Sequence, residues 1–192
     1  MSDTLNRWPL HGRTDLPEPF TWLREAFPRA RWTGVALPQT ASHWLQMHDG
    51  FRQAGDRMGQ TVSAYRADRL DTRAFHDQLL PTLAGFLQHL DGHHNIETGH
   101  YFPQFRRMEP RIAAGIDLLD RDHDAVHAHL EALADRGNAL HAAVRSGAVD
   151  AADRAARLAE ALDAATPDLL RHLDDEEDIV IPVIALAGRG PA

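Results

Sequence analysis

The sequence predicts an all-α protein: an antiparallel up-down-up-down four-helix bundle preceded by an irregular N-terminal arm. Three observations carry this. After about residue 40, apolar residues recur at alternating spacings of three and four, with no strand-like alternation of useful length. Four such segments are long and joined by short connections, which makes sequence neighbours antiparallel. Residues 1–40 differ, holding five of the eleven prolines and three of the four tryptophans. The chain of 192 residues has room for one sizeable core, and 43% hydrophobic with 25% charged residues is globular composition.

The elements follow in chain order. The arm, residues 1–40, reads as irregular, with one short helix near 19–27; its aromatics Trp8, Trp22 and Trp32 anchor it on a bundle spanning 41–188. The first long helix runs from about 41 to 68, with the stripe Trp44, His48, Phe51, Gly55, Met58, Val62, Tyr65. The second runs from about 72 to 106, with Leu79, Leu83, Phe86, Leu90, His93, Glu97, His100. The third starts at Glu109-Pro110, where a first turn tolerates proline, and ends near Ser146-Gly147. Its stripe is Ile112, Ile116, Leu119, His123, then Val126 or His127, then Leu130. The fourth starts at Asp150, a good N-cap, and ends near Ala187-Gly188. Its stripe is Leu158, Leu162, Ala165, Leu169, His172, Glu176, Ile179, Val183, Leu186. Pro81, Pro103, Pro167 and Pro182 predict kinks or earlier helix ends.

Composition narrows the chemistry. There are thirteen histidines and no cysteine, which removes disulfides, thiolate zinc fingers, Fe–S clusters and cysteine nucleophiles together. All twenty basic residues are Arg, so there is no Lys for a Schiff base or a P-loop. A net charge of −8 without a basic stripe argues against a nucleic-acid partner. The stretch Met1–Pro9 has no apolar signal region, and the longest apolar run, 179–188, is interrupted by Pro182 and too short for a bilayer. The expectation is a cytoplasmic protein with no membrane partner.

Every stripe carries at least one histidine, and two carry a carboxylate one turn later. Buried alone, such groups are costly. They also share one height. His48 lies 20 residues before Asp68, His93 21 after Thr72, His127 19 before Ser146 and His172 22 after Asp150. At ~1.5 Å per residue each stands roughly 30 Å from the same end. The second and fourth helices repeat one pattern, His93 with Glu97 before Pro103 and His172 with Glu176 before Pro182. The third adds His123 and His127. Five histidines and two glutamates are the inventory for two metal ions bridged by two carboxylates. Glu177 is the flanking alternative to Glu176. His94 points away from the seam, Asp174 and Asp175 face water, and His11, His43, His76, His89, His129 and His141 read as surface or packing residues.

These residues resemble the hemerythrin family, in particular bacterial hemerythrin HHE cation-binding domains, over about 41–186. The resemblance implies a non-haem di-iron centre in which His123, His127 and His172 hold one iron, His48 and His93 the other, and Glu97 and Glu176 bridge. The second iron then keeps an open position for a small ligand. Nitrogen and oxygen donors also suit manganese or zinc. His100, one turn beyond Glu97, departs from the repeated motif: it could donate to a bound ligand, act behind a ligand, join the coordination sphere or reach water. The implied function is binding of O2 or a related molecule (NO, peroxide) for storage, delivery or sensing, with an enzyme acting on peroxide, NO or ferrous iron as the alternative (catalase-like, NO reductase-like or ferroxidase-like). A ferritin-like oxidase fits less well, because its paired Glu-x-x-His signature occurs once, at Glu97–His100. In a third option the arm covers the site and reads the metal state.

Overall fold

The structure, a computed structural model, describes residues 8–33 and 37–187. Met1–Arg7, most of the stretch behind the expected lack of an export signal, and Gly188, the expected end of the last helix, lie outside the described residues. All regular structure among the described residues is helical. In the arm, single 3-10 turns at Glu18–Phe20 and Arg29–Arg31 flank a short helix α1 (Trp22–Ala26). Four long helices follow: α2 (Gln39–Arg66), α3 (Thr72–Ile96), α5 (Ala113–Ser146) and α6 (Ala151–Ala187). Between α3 and α5 the chain makes a π turn, Glu97–Tyr101, then α4 (Phe102–Met108) and a 3-10 turn, Pro110–Ile112. No described helix is long and apolar enough to cross a membrane.

Local chemistry explains the boundaries. Asp71 accepts a hydrogen bond from the Ala74 N–H at 2.7 Å and caps α3. Gly147, at φ 67°, turns the chain out of α5, and the Ala148 N–H returns to the Ala143 carbonyl at 2.9 Å. The helices run through Pro81, Pro167 and Pro182 without ending. At Pro103 the outcome differs. Proline there offers no N–H to the Gly99 carbonyl, and the helix widens just before it, with the Phe102 N–H reaching the Glu97 carbonyl five residues back.

The chain divides into two compact units. The unit formed by 50–93 and 126–167 takes a segment from each long helix. Its core includes Met58, Val62, Phe75, Leu79, Leu83, Leu133, Leu140 and Leu158, all buried. Phe51 meets Phe86 edge-on at 6.1 Å, and Tyr65 stacks on Phe75 at 4.4 Å. Gly137 lets α5 approach α3 closely: a Cβ there would stand 3.3 Å from Leu83 Cδ2.

The other unit comprises 1–49, 94–125 and 168–192. Here Leu16, Phe20, Leu23 and Phe27 of the arm join one apolar cluster with Trp44, Phe102, Ile116, Leu119, Ile179 and Val183. Trp8 packs edge-on against Phe20 at 5.6 Å. The consequence falls on α6, which is buried at every position from 175 to 185. A helix that also carries acids is not apolar enough for such burial by itself, so those acids need partners.

Phe75→Ala should lower the unfolding free energy by about 3–5 kcal/mol, the usual cost of emptying an aromatic core site, whereas Val149→Ala, at a fully exposed position, should stay within about 0.5 kcal/mol of the parent. Urea unfolding of both variants checks this, and equal midpoints would contradict the described core.

Candidate metal centre

Histidine and glutamate side chains gather in two groups, buried except for the half-buried His93. His94, His123 and His172 form one; His48, His93, Glu97 and Glu176 form the other. Within each group the residues offer ligand atoms that all lie within 4.8 Å of one another. Helical spacing accounts for the presentation: His94 and Glu97 are three apart, and His172 and Glu176 four apart on α6, so each pair shares a face. His93 ends the 50–93 segment of its unit and is followed by His94 in α3.

The carboxylates face both ways. Glu176 Oε1 is 3.3 Å from His48 Nε2, and its Oε2 is 3.4 Å from His172 Nε2. Glu97 Oε2 is 3.4 Å from His123 Nε2. The His94 and His123 rings stack at 4.0 Å, and His172 stands edge-on to both. His172 buries both ring nitrogens without a hydrogen bond. A buried imidazole and its neighbouring carboxylates are costly to desolvate, and a divalent cation takes this nitrogen–oxygen donor set directly. The residues present therefore fit a metal.

The surrounding groups orient these side chains. Thr98 donates to Asp120 at 2.8 Å, so its hydroxyl accepts from His123 Nδ1 at 3.0 Å and leaves Nε2 for coordination. Glu177 Oε1 accepts from His48 Nδ1 at 3.0 Å with the same effect. Trp44 Nε1 donates to Glu176 Oε1 at 2.5 Å, and Tyr101 packs edge-on to Trp44. Burial alone would push the His48 imidazole down, but the facing Glu176 and Glu177 outweigh it and raise it to about 9. Burial, reinforced by the Glu176 charge, holds the Glu97 carboxyl well above the usual carboxylate range.

Six of the seven residues expected as ligands lie in these groups: His48, His93, Glu97, His123, His172 and Glu176. The structure does not bring His127 to either. Its side chain is 56% exposed, with Asp91 at 3.5 Å and Glu131 at 3.4 Å. Of the two continuations open at that point, Val126 is the buried one, because α5 keeps its alternation of four and three through Ile112, Ile116, Leu119, His123, Val126 and Leu130. His94, expected to point away, is buried: the interior series on α3 runs Phe86, Leu90, His94, Glu97. His100 is exposed, with Nε2 2.8 Å from the Gln104 amide. The π turn rotates it off the face that unbroken α-helical spacing assigns it. Glu177 lies behind His48 rather than in a group.

The buried acids Asp122, Asp168, Asp175 and Asp178 were not legible as interior residues. Asp175, expected to face water, is fully buried, paired with Arg13 at 2.8 Å and Arg171 at 2.6 Å. Burial holds its carboxyl above the ordinary range despite both arginines. Asp122 is also buried, accepts from Arg13, and has Oδ2 4.0 Å from His172 Nδ1.

No curated protein and no solved structure matches the chain. The family model for the hemerythrin HHE cation binding domain matches residues 39–184. That span begins where α2 begins and takes in every member of both ligand groups. The chain belongs to the hemerythrin HHE cation-binding domain family.

Proposed function

We propose that this is a non-haem di-iron protein that binds O2 or a related small ligand, NO or peroxide, for storage, delivery or sensing, with the four long helices as an antiparallel bundle around the metals. The observation that carries the reading is the pair of buried carboxylates facing both imidazole groups, Glu176 with one oxygen toward His48 and the other toward His172, and Glu97 toward His123. In this assignment His94, His123 and His172 would hold one iron, His48 and His93 would hold the other, and Glu97 and Glu176 would serve both. Bound there, a pair of iron ions supplies a Lewis-acidic position and redox equivalents for a small ligand.

The chain's own residues shape what that site does. Three imidazoles would serve one ion and two the other, so an ion held by His48 and His93 would have fewer protein donors and could take an outside ligand. Trp44 holds Glu176 by its N–H and packs with Tyr101 and Phe105, placing an aromatic wall against the carboxylate. Such a wall limits water and lowers the local dielectric. Two carboxylates among five imidazoles make a less anionic donor set than the four glutamates of ferritin-like centres. That favours reversible binding over oxidation of a second substrate.

Metal analysis should find two irons per chain, and the visible spectrum of the reduced protein should change on exposure to air and recover when oxygen is removed. A colourless, zinc-filled protein that ignores oxygen would sink the reading. Steady turnover of peroxide or NO by the iron-loaded protein, lost in His93→Ala, would make it an enzyme instead. The ligand assignment has its own check. His94→Ala should lose at least one of the two irons, and His127→Ala should retain both with an unchanged spectrum. The reverse pattern would restore His127 as the ligand.

A further inference from the structure

We propose that Arg29, in the N-terminal arm, is a positioning residue for the metal centre, acting through Glu177 on His48. The inference rests on the two-metal reading above and adds a control element to it. His48 is fully buried, with Nε2 toward Glu176 and Nδ1 3.0 Å from Glu177 Oε1. The other oxygen of the same carboxylate, Glu177 Oε2, accepts from Arg29 Nη1 at 2.8 Å. The guanidinium is itself fixed: its Nε donates to Asp178 at 2.6 Å, its Nη2 donates to the Asp174 carbonyl at 2.8 Å, and it lies 5.0 Å from the centre of the Trp32 ring.

Each link has a physical effect. A carboxylate that accepts from Nδ1 fixes the imidazole tautomer, leaves the Nε2 lone pair for an ion and raises its basicity. Glu177 does this only while its own rotamer is held, and the planar Arg29 fork holds it in a way a point charge does not. Asp178 does not depend on Arg29 alone, because it also accepts from Arg24 at 3.3 Å. Arg24 makes its ion pairs with Asp15 and Asp178 and not with Glu177. It is the control: an arm arginine of similar burden with no link to a ligand.

The test is titration of the metal-free protein with cobalt(II), followed by visible absorption, in the parent and in Arg29→Met, Arg29→Lys, Arg24→Met and Glu177→Gln. His48→Ala identifies which binding phase belongs to the His48 ion. Arg29→Met should weaken that phase about 10–100-fold, the usual cost of losing an outer partner, and leave the other phase unchanged. Arg29→Lys should recover part of the loss, and Arg24→Met should titrate like the parent. Parent-like titration of Arg29→Met, equal weakening of both phases, or an equal effect of Arg24→Met would each overturn the proposal. If Arg29→Met does not fold, Glu177→Gln decides: selective weakening of the same phase supports it and unchanged binding overturns it. A parent protein that fails to take two cobalt ions would overturn the two-metal reading, a result visible before any substitution is made.

Discussion

Burying a run of carboxylates is the constraint on which the rest of the structure depends. Asp174 to Asp178 are five consecutive acids on α6, and the last four are buried. Each desolvated charge costs several kcal/mol, roughly, unless it is paired and hydrogen-bonded. A helix turns about 100° per residue, so four successive acids point in four directions and no single partner serves them. Asp175 meets Arg13 and Arg171, Glu176 meets Trp44 and the site histidines, Glu177 meets His48 and Arg29, and Asp178 meets Arg24 and Arg29. The arm therefore does more than cover apolar surface. It carries three of the cations that make burial of α6 tolerable.

The partners divide by chemistry. Asp175 and Asp178 face guanidinium groups, which keep their charge at any ordinary pH. Glu176 faces imidazoles, whose charge is adjustable, and Glu177 touches one group of each kind. The first pairing is permanent and fastens the arm to α6. The second leaves a buried, anionic position whose balance is open to a proton or a metal cation. One short segment thereby serves both as the structural attachment and as a contributor to the buried histidine–glutamate groups.

Much of this was legible in the sequence, and the exceptions share causes. The four long helices and most stripe positions emerge from the alternation of three and four, because burial in such helices is periodic. The same alternation is ambiguous by one residue wherever two neighbours both carry side chains that suit the interior. That ambiguity separates Val126 from His127 and blurs His93 with His94. His100 was misplaced because the stripe assumes α-helical spacing through a segment that Pro103 widens. Asp175 and the arm arginines have no period at all. Their pairing joins residues more than a hundred positions apart, such as Arg13 with Asp122 and Arg29 with Glu177, and no local pattern encodes those.

The π turn has a further meaning under the proposed ligand assignment. In an unbroken α-helix, residue 100 would follow 93 and 97 along one face, and a third α3 donor would stand over the ion that has fewest protein ligands. The turn takes one extra residue to pass the site, so the imidazole emerges at the surface beside Gln104 instead. Whether residue 100 faces the site is then a matter of counting along the backbone, set by the register of a single turn rather than by which side chain occupies that position.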